Sequence, residues 1–276
     1  MTDTRQTPAN GRVAAEHLRG QVTAPRFVEG TRHRIASPVA DLLRRPGGPR
    51  DRQLLMGEGV TCFEIHQGWA FVQAARDGYV GYLLADHLAT PRRPTHRVAA
   101  RATHLYATPD FKNPEIAALG HGSLLHVTGR TGRFARTPEG YAPAVHLESL
   151  ENPADDPVAV AALLLGTPYL WGGNSAFGID CSGLIQAGCL ACGLPCPGDS
   201  DQQAAVLGAH LSDAAPLRRG DLLFWTGHVA WVADPETLLH ANVHHMAVAH
   251  EPLRAAIERI EAQGDGPVTA RKRLGG

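Results

Sequence analysis

The stretch 166–192 constrains this chain most. A glycine-rich loop, with glycines at 166, 172, 173 and 178, runs into a mainly apolar segment that begins at Cys181. The pattern predicts a helix from Cys181 to Cys192, ended by Gly193 as its C-cap. A thiol at a helix N-terminus lies beside unpaired backbone N–H groups and the positive end of the macrodipole, and both favour thiolate, the nucleophilic form. Two histidines follow in short apolar runs, His228 in Gly-His-Val-Ala-Trp-Val and His240 in Leu-Leu-His-Ala-Asn. A cysteine, then a base, then a polar residue to orient that base is the layout of a thiol hydrolase. His228 is the expected base. His240, 12 residues on, is the expected orienting residue from an adjacent antiparallel strand, with Asn242 as its substitute.

At 276 residues the chain exceeds one ordinary domain, so two or three separate cores are expected. An apolar share of 43% and a charged share of 19% suit a globular protein rather than a disordered one. The net charge of −1 gives no electrostatic reason to expect nucleic acid or an anionic membrane as partner. The N-terminus lacks the basic-then-apolar layout of a signal peptide, and no apolar run reaches membrane length. Five cysteines, an odd number, are expected to be reduced thiols in cytosol rather than a disulfide framework.

Residues 1–25 are polar and read as a loosely held N-terminal extension. From Val60 to Leu88 short strands alternate with turns at Gln67-Gly68 and Asp77-Gly78, and residues 119–147 read the same way, with a turn over 129–132. Gly57-Glu58-Gly59 aligns with Gly120-His121-Gly122, and Asp77-Gly78-Tyr79 with Glu139-Gly140-Tyr141. A diverged duplicate of a small β-unit is expected, linked at 91–94 and closed at 151–153. After Asp156, an N-cap followed by proline, the pattern changes to helices and then antiparallel strands over 221–225, 229–232, 238–241 and 246–249: an α+β domain.

Pro168-Tyr-Leu-Trp-Gly-Gly173, Asp180-Cys-Ser-Gly183, Gly227-His-Val229 and Leu239-His-Ala-Asn242 together resemble the NlpC/P60 family of papain-like cysteine peptidases. The β-duplicate ahead of them looks like paired bacterial SH3 domains. The resemblance implies an extension over 1–25, SH3-type barrels over 26–92 and 96–151, and a catalytic domain over 153–276. It is similar to enzymes that cleave the γ-D-glutamyl–L-diamino acid bond (diaminopimelate or lysine) of murein peptides with a free N-terminal L-Ala, in wall-peptide recycling. A small peptide would then be the partner, and no cofactor would be needed. An endopeptidase acting on intact wall and a non-catalytic wall-binding protein are the competing readings.

The resemblance also distributes roles. Tyr169 would line the oxyanion side and Trp171 the cleft wall, as would Trp225. Asp180, which is also a natural N-cap, would hold the substrate's free amine, since a carboxylate next to the nucleophile otherwise opposes its ionisation. Ser182 would contact substrate or serve the first helical turn. Glu58 and Tyr79 of the first barrel would help Asp180 hold the amine, with Tyr82 as the alternative aromatic and a turn glutamate and core tyrosine as the plainer reading. Ser200, in a turn resembling a substrate-facing one, also makes a capping box with Gln203 for a third helix near 201–211. Cys189, Cys192 and Cys196 have spacings that invite a metal, yet two sit inside an apolar helix with no fourth ligand, so packing is expected and no metal. No phosphate-loop or dinucleotide pattern is present.

Overall fold

Alternation of apolar residues explains the first half of the chain. A computed structural model describes residues 3–275 and divides them between two compact units, one ending at Glu151 and one starting at Asn152. In the first unit, strands Thr31–Ile35, Val39–Leu43, Arg50–Leu55, Gly59–His66, Trp69–Ala74, Val80–Leu84 and Leu88–Ala89 form one seven-stranded antiparallel sheet. Its core holds Val60, Cys62, Ala70, Val72 and Ala74, the alternate positions of two neighbouring strands. Gln67 and Gly68 both take positive φ, 50° and 79°, as a two-residue hairpin whose turn matches the strand twist requires.

The same alternation turns Phe63 and Phe71 to the opposite face, and there the N-terminal segment corrects the expectation of a loose extension. Ala14–Ala15 pairs in parallel with Phe27–Val28, and Val13, Ala15 and Leu18 are buried against the two phenylalanines. The segment looks polar because only a few of its residues are apolar, but those few cover an aromatic surface that water would otherwise meet.

The rest of this unit forms two small sheets. One joins Leu124–Leu125, His96–Val98 and Leu147–Ser149; the other orders Glu115–Gly120, Ala102–Tyr106, Gly140–Pro143, Phe134–Thr137 and Gly129–Thr131. Residues 129–131 are therefore strand, and the turn is the two residues after them, because Thr131 pairs with Phe134. The same pair of backbone bonds occurs at two places in this unit. Ile35 N–H donates to Glu58 and its carbonyl accepts from Gly57; Val98 N–H donates to Ser123 and its carbonyl accepts from Gly122. Gly57 and Gly122 both have φ of 85°. The counterpart of Glu58 is thus Ser123, two residues beyond the His121 that sequence alignment pairs with it.

In the second unit Asp156 caps α1 (Pro157–Ala162) by accepting from Val158 and Ala159 N–H. Helices α2 (Cys181–Ala191), α3 (Ser200–Val206) and α4 (Leu253–Ile260) follow. A six-stranded antiparallel sheet runs in the order Ala209–His210, Ala270–Arg273, Asp221–Trp225, His228–Asp234, Thr237–Asn242, Ala247–Pro252. One face packs Leu222, Phe224, Val229, Trp231 and Leu239 with Val158 of α1 and Leu184 and Ile185 of α2. The other packs Leu223, Trp225, Val232 and Leu238 with Ala256 and Ile260 of α4. Buried on both faces, the central strands carry apolar runs instead of alternation. Gly188 lets α1 and α2 approach closely, since a Cβ there would lie 2.6 Å from the Pro157 carbonyl oxygen.

The third helix departs from its expectation. It spans Ser200–Val206, its N-cap is Asp199, and no side chain caps it. Gln203 is fully buried, and its Nε2 donates to the carbonyls of Ser182 and Pro197. The expected Ser200–Gln203 capping box therefore does not form; Gln203 instead ties α3 to α2.

Candidate active site

Asp180 starts α2. Its Oδ1 accepts from Gly183 N–H at 2.7 Å and from Ser182 Oγ at 3.0 Å, while Oδ2 accepts from Gly172 N–H at 2.9 Å. One carboxylate thus caps the helix and fastens the glycine loop to it. Ser182 is buried in this arrangement. Gly183 brings the loop and helix together, because a Cβ on it would meet the Gly173 carbonyl oxygen at 2.5 Å. Cys181 is held at the first helical position, buried, with Sγ 4.0 Å from the carbonyl oxygen of Gly227.

His228 follows Gly227 directly, in a hairpin where Trp225 pairs with His228 and Gly227 takes a φ of 74°. The Trp225 indole packs beside the imidazole, centroids 5.6 Å apart and planes tilted by 40°. His228 Nε2 is 2.9 Å from Nδ1 of His240, which comes from the neighbouring strand and is fully buried. Burial is the main cause that holds both rings below the ordinary histidine value, to about 3 for His228 and about 4 for His240. Both rings are therefore neutral at pH 7, which leaves His228 able to accept a proton. Asn242 is not a substitute for His240: its Oδ1 accepts from His245 N–H and lies 3.0 Å from the His245 ring nitrogen, bracing the turn after the strand.

Tyr169 is half-buried against the core that contains Cys181. Burial pushes its phenol up, and the negative charges of Cys181 and Asp180 push it further, so its hydroxyl stays a donor. Trp171 is 69% exposed on the same loop. Ser200 sits at the start of α3 and makes no cap bond.

Two site residues have surroundings other than those expected. Glu58 is buried in the first unit; its Oε1 accepts from Arg76 at 2.7 Å and its Oε2 from Leu55 N–H at 3.1 Å. Burial raises its carboxyl despite the Arg76 charge. Tyr79 is buried in the first unit's core. These contacts use both Glu58 oxygens inside the unit that carries them, which is a scaffold role and differs from an exposed turn residue as much as from an amine ligand.

Sequence reading missed a further pair. His240 Nε2 is 3.0 Å from Oε2 of Glu251, and Arg259 of α4 binds Glu251 through two nitrogens at 2.7 and 2.8 Å. The lone carboxylate in the apolar strand 247–252 was a usable signal, as was the Leu253, Ala256, Ile257, Ile260 spacing of α4. Among the described residues no group of three or more His, Cys, Asp or Glu side chains is placed to hold a metal ion.

Comparison with known proteins agrees with this arrangement. Residues 166–259 match the NlpC/P60 family, and residues 42–88 match the bacterial dipeptidyl-peptidase Sh3 domain. Over 196 residues the chain is 32% identical to the gamma-D-glutamyl-L-lysine dipeptidyl-peptidase of Bacillus subtilis (strain 168), covering 63% of each chain. Over 219 residues it is 28% identical to dipeptidyl-peptidase 6 of Lysinibacillus sphaericus, covering 69% of this chain and 79% of that one. In fold it is similar to an NlpC/P60 family protein from Bacillus cereus ATCC 10987, with a TM-score of 0.74 at 20% identity, covering 88% of this chain and 99% of the other. The chain carries an NlpC/P60 family domain preceded by a bacterial SH3 domain.

Proposed function

We propose that this protein is a cysteine endopeptidase that hydrolyses the γ-D-glutamyl–L-diamino acid bond of murein peptides bearing a free N-terminal L-Ala. The observation that carries the reading is the thiol of Cys181 at the first turn of α2, beside the hairpin that presents His228 backed by His240. The name of the Bacillus subtilis relative, a gamma-D-glutamyl-L-lysine dipeptidyl-peptidase, supplies the bond type. In the proposed reaction His228 takes the Cys181 proton, and Sγ adds to the γ-glutamyl carbonyl carbon. The oxyanion that forms is stabilised by the Cys181 N–H and the Tyr169 hydroxyl. Collapse breaks the C–N bond, and His228 returns its proton to the departing amine of the diamino acid. Water, deprotonated by the same ring, then hydrolyses the thioester.

Asp180 is the proposed amine-binding group, as a buried carboxylate adjacent to the nucleophile. Glu58 is left out of that site because its charge is paired with that of Arg76, whereas Asp180 accepts from neutral groups, Gly183 and Gly172 N–H and Ser182 Oγ. The matched bonds of Gly57 and Gly122 support reading residues 96–151 as a second SH3-type module. Recycling of wall peptides inside the cell is the proposed setting; no cysteine among the described residues is in a disulfide, which suits a reducing compartment.

The test incubates wild type and Cys181→Ala with L-Ala-γ-D-Glu-diaminopimelate, its lysine analogue and their N-acetylated forms, with products identified by mass spectrometry. Wild type should release L-Ala-D-Glu only from peptides with a free amine, and Cys181→Ala should release none. Equal cleavage of acetylated peptides would discard amine recognition. Residual turnover by Cys181→Ala would discard the nucleophile.

A further inference from the structure

We infer that Glu251, held as a carboxylate by Arg259, is a positioning residue that fixes the tautomers of both His240 and His228 and so leaves His228 Nδ1 as the bare nitrogen available to Cys181. The chain of bonds leaves little choice. Glu251 Oε1 and Oε2 receive the Nε and one terminal nitrogen of Arg259, a two-point pair that only the ionised carboxylate makes well. An ionised carboxylate accepts and never donates, so the contact at His240 Nε2 requires a hydrogen on that nitrogen. A neutral imidazole carries one hydrogen; His240 Nδ1 is therefore a lone pair and must accept. Its partner at 2.9 Å is His228 Nε2, which must then donate. The single hydrogen of neutral His228 is thereby spent on the far side of the ring, and Nδ1 is left unprotonated.

The reverse arrangement would disable the site. If Glu251 donated or were absent, His240 could carry its hydrogen on Nδ1, point it at His228 Nε2 and drive the His228 hydrogen onto Nδ1. The ring would then face the thiol with a donor and could take no proton from it. A doubly protonated His240 would do the same, but His240 is fully buried and the Arg259 charge lies just behind Glu251. Burial accordingly holds His240 near 4, against the pull of Glu251, with His245 and Arg259 opposing its charge as well. Burial, and then His240, chiefly keep the resting His228 neutral; the Arg259 charge adds to them and the Glu251 charge opposes them. Asp265 is the other carboxylate whose charge acts on Arg259, and Gln263 accepts from its remaining terminal nitrogen. When the S–H bond of Cys181 breaks, the proton joins Nδ1; the Nε2–H bond to His240 persists, and the Glu251 carboxylate faces the new positive charge through one ring.

The catalytic consequence rests on the proposed peptidase reading, but the tautomers do not, and the experiment separates the two. Wild-type protein with 15N-labelled histidine is measured at pH 7 by long-range proton–nitrogen correlation NMR, His228 and His240 being assigned by subtraction with His228→Gln and His240→Gln. Both rings should be neutral with hydrogen on Nε2 alone. Hydrogen on Nδ1 of either ring, or a charged His240, overturns the inference without touching the substrate assignment. The second measurement is the rate of Cys181 alkylation by iodoacetamide across pH, per mole of folded protein, in wild type, Glu251→Gln and Glu251→Ala. Loss of the anchor should slow alkylation about 10- to 100-fold near neutrality. With peptide, kcat should fall by a similar factor and KM stay within about twofold. Unchanged alkylation in folded Glu251→Ala would overturn the positioning role. Absence of murein-peptide cleavage by wild type, with the expected tautomers present, would reject the substrate and leave the relay standing.

Discussion

Lowering the pH from 7 to 5 tests the burial of the two histidines. In the unfolded chain each ring takes up a proton near the ordinary value of 6.5, whereas in the folded unit His240 is held to about 4 and His228 to about 3. The folded state binds fewer protons than the unfolded one across this window, so stability rises with pH and is lost on acidification. Between pH 7 and 5 a fully buried ring of this kind loses about 2 kcal/mol, the unfolded form being almost wholly protonated at the lower value. His240 meets that condition. His228 is partly exposed, so solvent screening leaves it a smaller share. The Glu251 carboxyl is held down to about 2, chiefly by Arg259, so its own loss of stability begins only below the window. With a urea slope of about 2 kcal/mol/M, the unfolding midpoint should fall by roughly 1 M from His240 alone. Tryptophan fluorescence reports chiefly on the right unit, because Trp171, Trp225 and Trp231 lie in it and Trp69 in the other. The comparison is with His240→Gln, which removes this contribution together with the lowering that the His240 charge exerts on His228, and leaves the histidines away from the site as before. Identical pH dependence of the two midpoints would refute the account of His240 as a buried neutral ring.

Other substitutions probe the scaffold. Gly183→Ala forces a Cβ to within 2.5 Å of the Gly173 carbonyl oxygen and should cost roughly 1–3 kcal/mol by urea denaturation, with slower Cys181 alkylation in the fraction that folds. Glu58→Ala removes one of the two carboxylates paired with Arg76, leaving Asp77 and the Gln53 carbonyl, and should destabilise the first unit by about 1–3 kcal/mol by calorimetry, with KM of the folded enzyme unchanged; a large rise in KM without loss of stability would return Glu58 to the substrate site. Removing the segment that carries Val13, Ala15, Leu18 and Val28 uncovers Phe63 and Phe71, at roughly 1.5–3 kcal/mol for each ring, and should appear as dye binding to exposed apolar surface and earlier proteolysis of the first unit.

The helix and strand boundaries around the site were legible because local signals agree there. Asp156 before Pro157, Asp180 before Cys181, and Gly193, with a φ of 74° after α2, are each set by backbone chemistry within a few residues. So are the candidate nucleophile and the two histidines, whose residue types and order are properties of the chain itself. What local pattern does not carry is partnership across long separations. Glu58 read as an amine ligand, with an exposed turn residue as the plainer reading, and its burial depends on Arg76, 18 residues away on the far side of a hairpin. The N-terminal segment looked loose until the outward faces of Phe63 and Phe71 gave it a surface to cover. The strand Ala270–Arg273 lies inside the six-stranded sheet without an apolar run of its own; the buried carboxylate of Asp221 binds Arg273 at 2.7 Å, which makes so basic a strand possible at the sheet's interior.

The sequence alone determined which atoms could do chemistry here: a sulfur at a helix start and imidazoles on neighbouring strands, since spacing and capping are written along the backbone. Only the tertiary structure decided the state of those atoms. Hydrogen placement on the two rings depends on a carboxylate one strand further and a guanidinium on a later helix, and electrostatics acts through space without regard to position in the chain.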